Sequence, residues 1–152
     1  MARLVGLMRH GKAEPPGAKP DEERKLTPEG RRQVSEIANL IPFKPACIYS
    51  SPLARALETA SILASKLGLG KAETSDFLKP GVFSVEALGE LLKICKGDIL
   101  LVGHSPSVER VLTELIGGGN IKMKTSSLAI VLLEEGRGTL LALLIPPSAQ
   151  LP

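Results

Sequence analysis

Short continuous apolar runs alternate along this chain with apolar residues at helical spacing. Residues 3–8, RLVGLM, form a run of strand length that stops at Arg9, His10 and Gly11. Residues 12–26, KAEPPGAKPDEERKL, are charged and proline-rich with no apolar stripe, and read as a loop. At Thr27 the pattern changes: Thr27 suits a helix cap, Pro28 the first helical position, and Val34, Ile37, Ala38, Leu40 and Ile41 recur at helical spacing. This predicts a helix over 28–41, ended by Pro42 and Pro45, followed by a strand at 46–50, ACIYS. The segment SSPLARALETASILASKLGLG predicts a second helix with Ser51 as cap and Pro52 at the first position. Its stripe is Leu53, Ala56, Leu57, Ala60, Leu63, Ala64 and Leu67, and Gly68 is its stop.

Further on, residues 71–75 give a weak strand and residues 84–96 a third helix. Residues 99–102, ILLV, are the clearest strand, and they lead into Gly103 and His104. Ser105 and Pro106 repeat the cap-plus-proline start for a helix over 106–116. After three glycines at 117–119, two apolar runs, SLAIVLLEE and TLLALLI, separated by GRG, predict a hairpin. Continuous apolar strands alternating with helices predict an α/β fold: a mainly parallel sheet covered on both faces by helices, with an antiparallel hairpin at one edge.

Composition narrows the class. At 152 residues the chain fits one domain, 1–152, and 43% apolar with 23% charged residues is the balance of a soluble globular protein. No segment approaches the roughly 20 apolar residues of a membrane span, and the first residues lack the form of a secretory signal, so a cytoplasmic location is expected. Cys47 and Cys95 lie far apart in apolar contexts without CxxC spacing, so they are expected to pack as small hydrophobes in preference to forming a bridge. The net charge of +3 and pI near 9.0 suit an anionic partner. The basic residues are scattered, however, and three Phe, one Tyr and no Trp offer little for bases to stack on, so nucleic acid is not expected.

Candidate chemistry collects at three strand ends. The first strand ends in Arg9-His10-Gly11, the second in Ser50-Ser51-Pro52 with Arg55 in the next helical turn, and the fourth in Gly103-His104-Ser105-Pro106. In parallel sheets these ends share one edge, where ligands bind. Position 55 lies off the apolar stripe of its helix, free to reach across that edge. Two imidazoles, two guanidiniums and helix N-termini in one place suit a phosphate and suit a metal poorly, since the arginines repel cations and carboxylate ligands are missing. A neutral imidazole with one nitrogen held by a carbonyl can attack phosphorus, while guanidiniums hold the nonbridging oxygens. No His, Cys or Asp cluster offers a metal site, and neither GxxxxGK[ST] nor GxGxxG follows the first strand.

The set LMRHGKAE, RKLTPEG, SSPLARALETA and VGHSP, in that order over roughly residues 3–145, resembles the histidine phosphatase superfamily, with its phosphoglycerate mutase-like three-layer sandwich. The small size is similar to the SixA-type phosphohistidine phosphatases. The resemblance implies His10 as the phosphate-accepting nucleophile, Arg9 and Arg55 as phosphate ligands, and His104 as the second histidine, all without a cofactor or metal. It also places Arg24 beside the phosphate; the residues alone give Arg24 only as a loop charge. Ser105 is added as a phosphate-binding candidate. No insertion is long enough for a lid, and no acid stands at the expected strand end, with Asp76 and Glu86 the nearest candidates. A phosphohistidine leaving group needs little help from an acid, so the expected substrate is a phosphorylated protein. A phosphatase of small phosphomonoesters using Asp76 or Glu86, and a phosphate-binding module without turnover, remain the alternatives.

Overall fold

A computed structural model describes residues 2–151. Its centre is a six-stranded sheet, formed by β1 (Ala2–Arg9), β2 (Cys47–Ser50), β3 (Glu73–Thr74), β4 (Ile99–Gly103), β5 (Leu128–Glu134) and β6 (Arg137–Leu144). The order across the sheet is β3-β2-β4-β1-β5-β6. The first four in that order are parallel, and β5 and β6 add an antiparallel edge. Four helices cover it: α1 (Pro28–Ala38), α2 (Ala54–Lys66), α3 (Val85–Ile94) and α4 (Ser107–Ile116).

Side chains alternate along each central strand, and the alternation divides the core in two. Val5 and Leu7 of β1, with Ile99 and Leu101 of β4, pack under α3 and α4 beside Leu88, Leu91, Val111 and Leu112. Met8 of β1, with Leu100 and Val102 of β4, packs under α1 and α2 beside Val34, Ile37, Ala60 and Leu63. This is the three-layer sandwich expected from the apolar pattern. No helix of the described chain is long and apolar enough to cross a membrane.

Several boundaries differ from the sequence reading, each for a local reason. The first helix ends at Ala38, short of residue 41, because the chain tightens there: Leu40 and Ile41 donate to the carbonyls of Ile37 and Ala38. The second begins at Ala54 with Leu53 in the capping position; the Ser51 hydroxyl accepts from Leu53 N–H, ahead of the helix, and meets His104 Nε2. Leu57 of its expected stripe is 37% exposed. The last helix starts at Ser107 with Pro106, after a cis Ser105–Pro106 bond, in the capping position, and stops at Gly117, whose φ of 91° is the left-handed closure glycine permits. The hairpin turns at Glu135-Gly136, φ 50° and 78°, so Arg137 and Gly138 of the GRG segment already belong to β6.

The expectation for the cysteines is corrected outright. Cys47 and Cys95 form a disulfide, with Cα atoms 6.3 Å apart. Their separation of 48 residues along the chain is closed by the fold: Cys47 lies beside Ile99 in the β2–β4 pairing, and Cys95 ends α3 four residues before that strand begins.

Candidate active site

The parallel register aligns the strand ends. Arg9 of β1 pairs with Gly103 of β4, so His10 and His104 leave adjacent strands side by side, and the His10 N–H donates to the Gly103 carbonyl at 3.1 Å. The two rings stand 5.1 Å apart between centroids, tilted by 57°. On the other flank of β4, Ser51 N–H donates to Val102 O at 3.1 Å, which sets the start of the turn leading to Arg55.

Arg9, His10, Lys12, Arg24, Arg55, His104, Ser105 and Thr125 line one cavity of about 370 Å³, with Ala13 and Pro80 completing its wall. All six residues singled out from the sequence are therefore brought together. Neither acid candidate joins them: Asp76 is 83% exposed and faces Lys79 at 3.6 Å, and Glu86 is exposed in the first turn of α3. No carboxylate lines this cavity among the described residues. A larger depression of about 790 Å³ lies at the opposite edge of the sheet, walled by Glu114, Glu134, Glu135 and Arg137 among others, and holds neither histidine.

The imidazole of His10 is fixed by its own neighbour. Its Nδ1 lies 2.7 Å from Gly11 O, and a carbonyl only accepts, so Nδ1 carries the proton and Nε2 keeps its lone pair. Gly11 N–H donates to Thr59 Oγ1 at 3.0 Å, and Thr59 Oγ1 donates in turn to Arg55 O at 2.7 Å. Thr59 thus couples the turn after His10 to the helix that carries Arg55. The Nε2 of His104 lies 2.8 Å from Ser51 Oγ, which also accepts from Leu53 N–H.

Electrostatics keep both rings neutral. Burial pushes His10 down to about 4, with Arg55, Arg9 and Arg24 adding repulsion and the Gly11 carbonyl opposing it. Burial likewise pushes His104 down to about 3, helped by His10, Arg55 and Arg9 and opposed by Asp21. Burial also lowers Arg9 below its ordinary value, against the attraction of Glu109. The Nε atoms of Arg9 and Arg55 are buried with no hydrogen-bond partner among the described residues. An unmet buried donor costs on the order of 1–3 kcal/mol, a cost that an anion accepting from it removes.

Sequence reasoning missed four residues that hold this wall in place. Besides Ser51 and Thr59, Glu109 of α4 is buried, 8% exposed, and its Oε2 accepts from Ser105 Oγ at 2.8 Å and from Met123 N–H at 3.2 Å. Met123 O accepts from Arg9 Nη1 at 2.8 Å, so Glu109 reaches Arg9 through the backbone of a single residue, Met123. The Ser105 hydroxyl proton is committed to Glu109, which leaves Ser105 Oγ able only to accept. The fourth is Asp21, whose carboxylate meets both Arg24 and Arg55. Thr59 falls four residues after Arg55, a spacing that offered a signal; Ser51, Glu109 and Asp21 offered none that separated them from ordinary cap, helix and loop residues.

A neutral nucleophilic imidazole, a second imidazole and guanidiniums around one small cavity form a site for attack on a bound phosphoryl group. The model of the histidine phosphatase superfamily (branch 1) matches residues 5–79. The solved structure of the protein histidine phosphatase SixA complexed with tungstate is 29% identical, superposes with a TM-score of 0.83, and is matched over 94% of this chain and 97% of that one. The chain is similar to the histidine phosphatase superfamily, by family model over its first half and by fold over nearly its full length.

Among other solved structures, a candidate phosphohistidine phosphatase SixA from Agrobacterium tumefaciens is 26% identical, with a TM-score of 0.80 over 95% of this chain and 98% of that one. A phosphoserine phosphatase from Entamoeba histolytica, crystallised as a mutant with phosphoserine, shares the fold at 19% identity and a TM-score of 0.74, covering 93% and 96%. No curated protein matches the sequence.

Proposed function

We propose that this chain is a histidine phosphatase that hydrolyses phosphohistidine on a protein, by way of a phosphohistidine formed on its own His10. The observation that carries the reading is a cation-lined cavity with a neutral histidine and no carboxylate. Likeness to the SixA structure over nearly the full length of both chains supports it.

In the proposed reaction Arg9, Arg55 and Arg24 hold the nonbridging oxygens, and His104 adds a further contact to them. The His10 Nε2 lone pair attacks phosphorus in line, a new N–P bond forms, and the P–N bond to the substrate ring breaks. When the other nitrogen of the substrate imidazolium already carries a proton, the ring departs as neutral imidazole with no acid from the enzyme. Gly11 O steadies the positive charge that the first step leaves on His10. Water then attacks the phosphorus and the His10 N–P bond breaks. Both protons of the water stay on the phosphate, so the products are neutral His10 and dihydrogen phosphate. An alkoxide leaving group would need a proton donor at the same place, which makes phosphomonoesters the poorer substrates.

The test is a substrate profile of the purified protein on a phosphohistidine protein, a small phosphoramidate and a panel of sugar and nucleotide monoesters. The expected order puts the P–N substrates first, and preference for one monoester overturns the substrate assignment. His10→Ala abolishes turnover on every substrate, and rapid quenching of wild-type enzyme yields a phosphoenzyme stable in base and labile in acid; turnover by the variant at the wild-type rate overturns the nucleophile.

A further inference from the structure

We propose that Asp21 is a positioning residue: it latches the segment 12–26 onto α2 and thereby sets Arg24 and Arg55 against the cavity. The inference rests on the phosphoryl reading of that cavity. The segment holds little regular structure of its own, only the 3-10 turn Asp21–Glu23 and an isolated bridge between Ala13 and Leu26. Arg24 directly follows this turn, so the position of Arg24 depends on what anchors the turn.

The anchor is a set of four contacts from one residue. Asp21 O accepts from Arg55 Nη1 at 3.0 Å and Asp21 Oδ2 from Arg55 Nη2 at 3.3 Å. Asp21 Oδ1 accepts from Arg24 Nε at 3.0 Å and faces Arg24 Nη2 at 2.9 Å. A guanidinium is a rigid planar fork, so holding both terminal nitrogens of Arg55 fixes its plane and leaves its buried, unpartnered Nε on the remaining edge. Arg24 is held on its other edge, Nε and Nη2 both facing the single oxygen Asp21 Oδ1, and its Nη1 donates onward to Glu14 O at 2.6 Å. Both arginines line the cavity and Asp21 does not.

Charge alone argues the other way. A carboxylate beside an anion site repels the anion, and its removal by electrostatics alone strengthens phosphate binding. The latch makes the opposite prediction, because two guanidiniums released from a fixed geometry bind a phosphoryl group less well. The sign of the effect therefore separates positioning from simple competition for the arginines.

The experiment measures affinity for inorganic phosphate by calorimetry, and kcat and KM on a small phosphoramidate, for wild type, Asp21→Ala, Asp21→Asn, Arg24→Ala and the double variant Asp21→Ala/Arg24→Ala. Asp21→Ala is expected to weaken phosphate about tenfold and raise KM in step, with a smaller change in kcat. Asp21→Asn, which keeps an accepting oxygen, recovers part of the loss, and the double variant loses less than the sum of the two single losses, because the share of Asp21 that acts through Arg24 is already gone. Tighter phosphate binding by Asp21→Ala, unchanged binding, or additive losses in the double variant overturn the latch. Should Asp21→Ala melt early, the isosteric Asp21→Asn decides by sign: weaker phosphate binding than wild type supports the latch, and equal or tighter binding overturns it. If wild type binds no phosphate and leaves the phosphoramidate intact, the phosphoryl reading falls and the latch with it; if wild type binds phosphate and Asp21→Ala binds it equally, the latch alone falls.

Discussion

The chain contains two histidines, and both sit in the same cavity, which makes proton occupancy there directly observable. Burial holds His10 at about 4 and His104 at about 3. Both are neutral at pH 7, and NMR titration of the two ring C–H resonances should give midpoints well below the ordinary value of about 6.5. A titration near 6.5 for either ring would contradict its burial. Folding stability follows with a definite sign. The unfolded chain takes up protons below about 6.5 that the folded rings refuse, so the contribution of these neutral rings is full above that pH. It is lost as the pH falls through 6.5 toward the folded values, visible as a falling denaturant midpoint. At this scale the cavity was largely legible, since Arg9, His10, Arg55 and His104 are marked by ending strands or opening a helix. Ser51 and Glu109 were not, because a serine before a proline also reads as a cap and a glutamate in a first helical turn as a solvated charge.

The segment from Thr27 to Gly30 shows how an element start can serve the site. Thr27 Oγ1 accepts from Gly30 N–H at 2.9 Å, and Pro28 fills the first helical position, as the sequence implied. The backbone then explains Gly30: a Cβ there would lie 2.2 Å from Lys12 O and 3.0 Å from Lys12 N. Lys12 O accepts from Thr27 N–H at 2.9 Å, so α1 seats its first turn directly on the chain two residues after His10. Glu58 of α2 closes the same corner, taking Leu26 N–H at 2.8 Å and Arg31 Nη2 at 2.7 Å. Gly30→Ala should destabilise the fold by about 1–3 kcal/mol and lower kcat/KM, because the displaced backbone leads straight to the nucleophile. Denaturant unfolding and steady-state kinetics check both effects, and a neutral result would mean the corner yields without strain. Helix starts and strand runs are local patterns and were readable. The seating of one element on another is a long-range contact that no local pattern encodes, and the same limit misplaced the start of α2.

Across the whole molecule the division of the core was legible from alternation, while the disulfide was not, because cysteines 48 positions apart meet only once β2, α3 and β4 are assembled. Closing a loop of that length stabilises by about 4 kcal/mol in the chain-entropy view. Reduction, or the pair Cys47→Ala with Cys95→Ala, should lower Tm by about 10 °C, and an unchanged Tm under reductant would show that packing alone holds these elements. The bridge also bears on location, since such bonds persist in oxidising surroundings and are uncommon in a mesophilic cytosol. The pairing of Arg9 with Gly103 has a different reach. Neighbouring strands lie about 4.8 Å apart, and this lattice spacing is the gauge that holds the two rings at 5.1 Å. Chain length inside β1 and β4 is therefore part of the chemistry. One residue inserted within β1 slides His10 about 3.3 Å along its neighbour and turns Arg9 to the other face, whereas one inserted at Gly117–Gly119 only lengthens a loop.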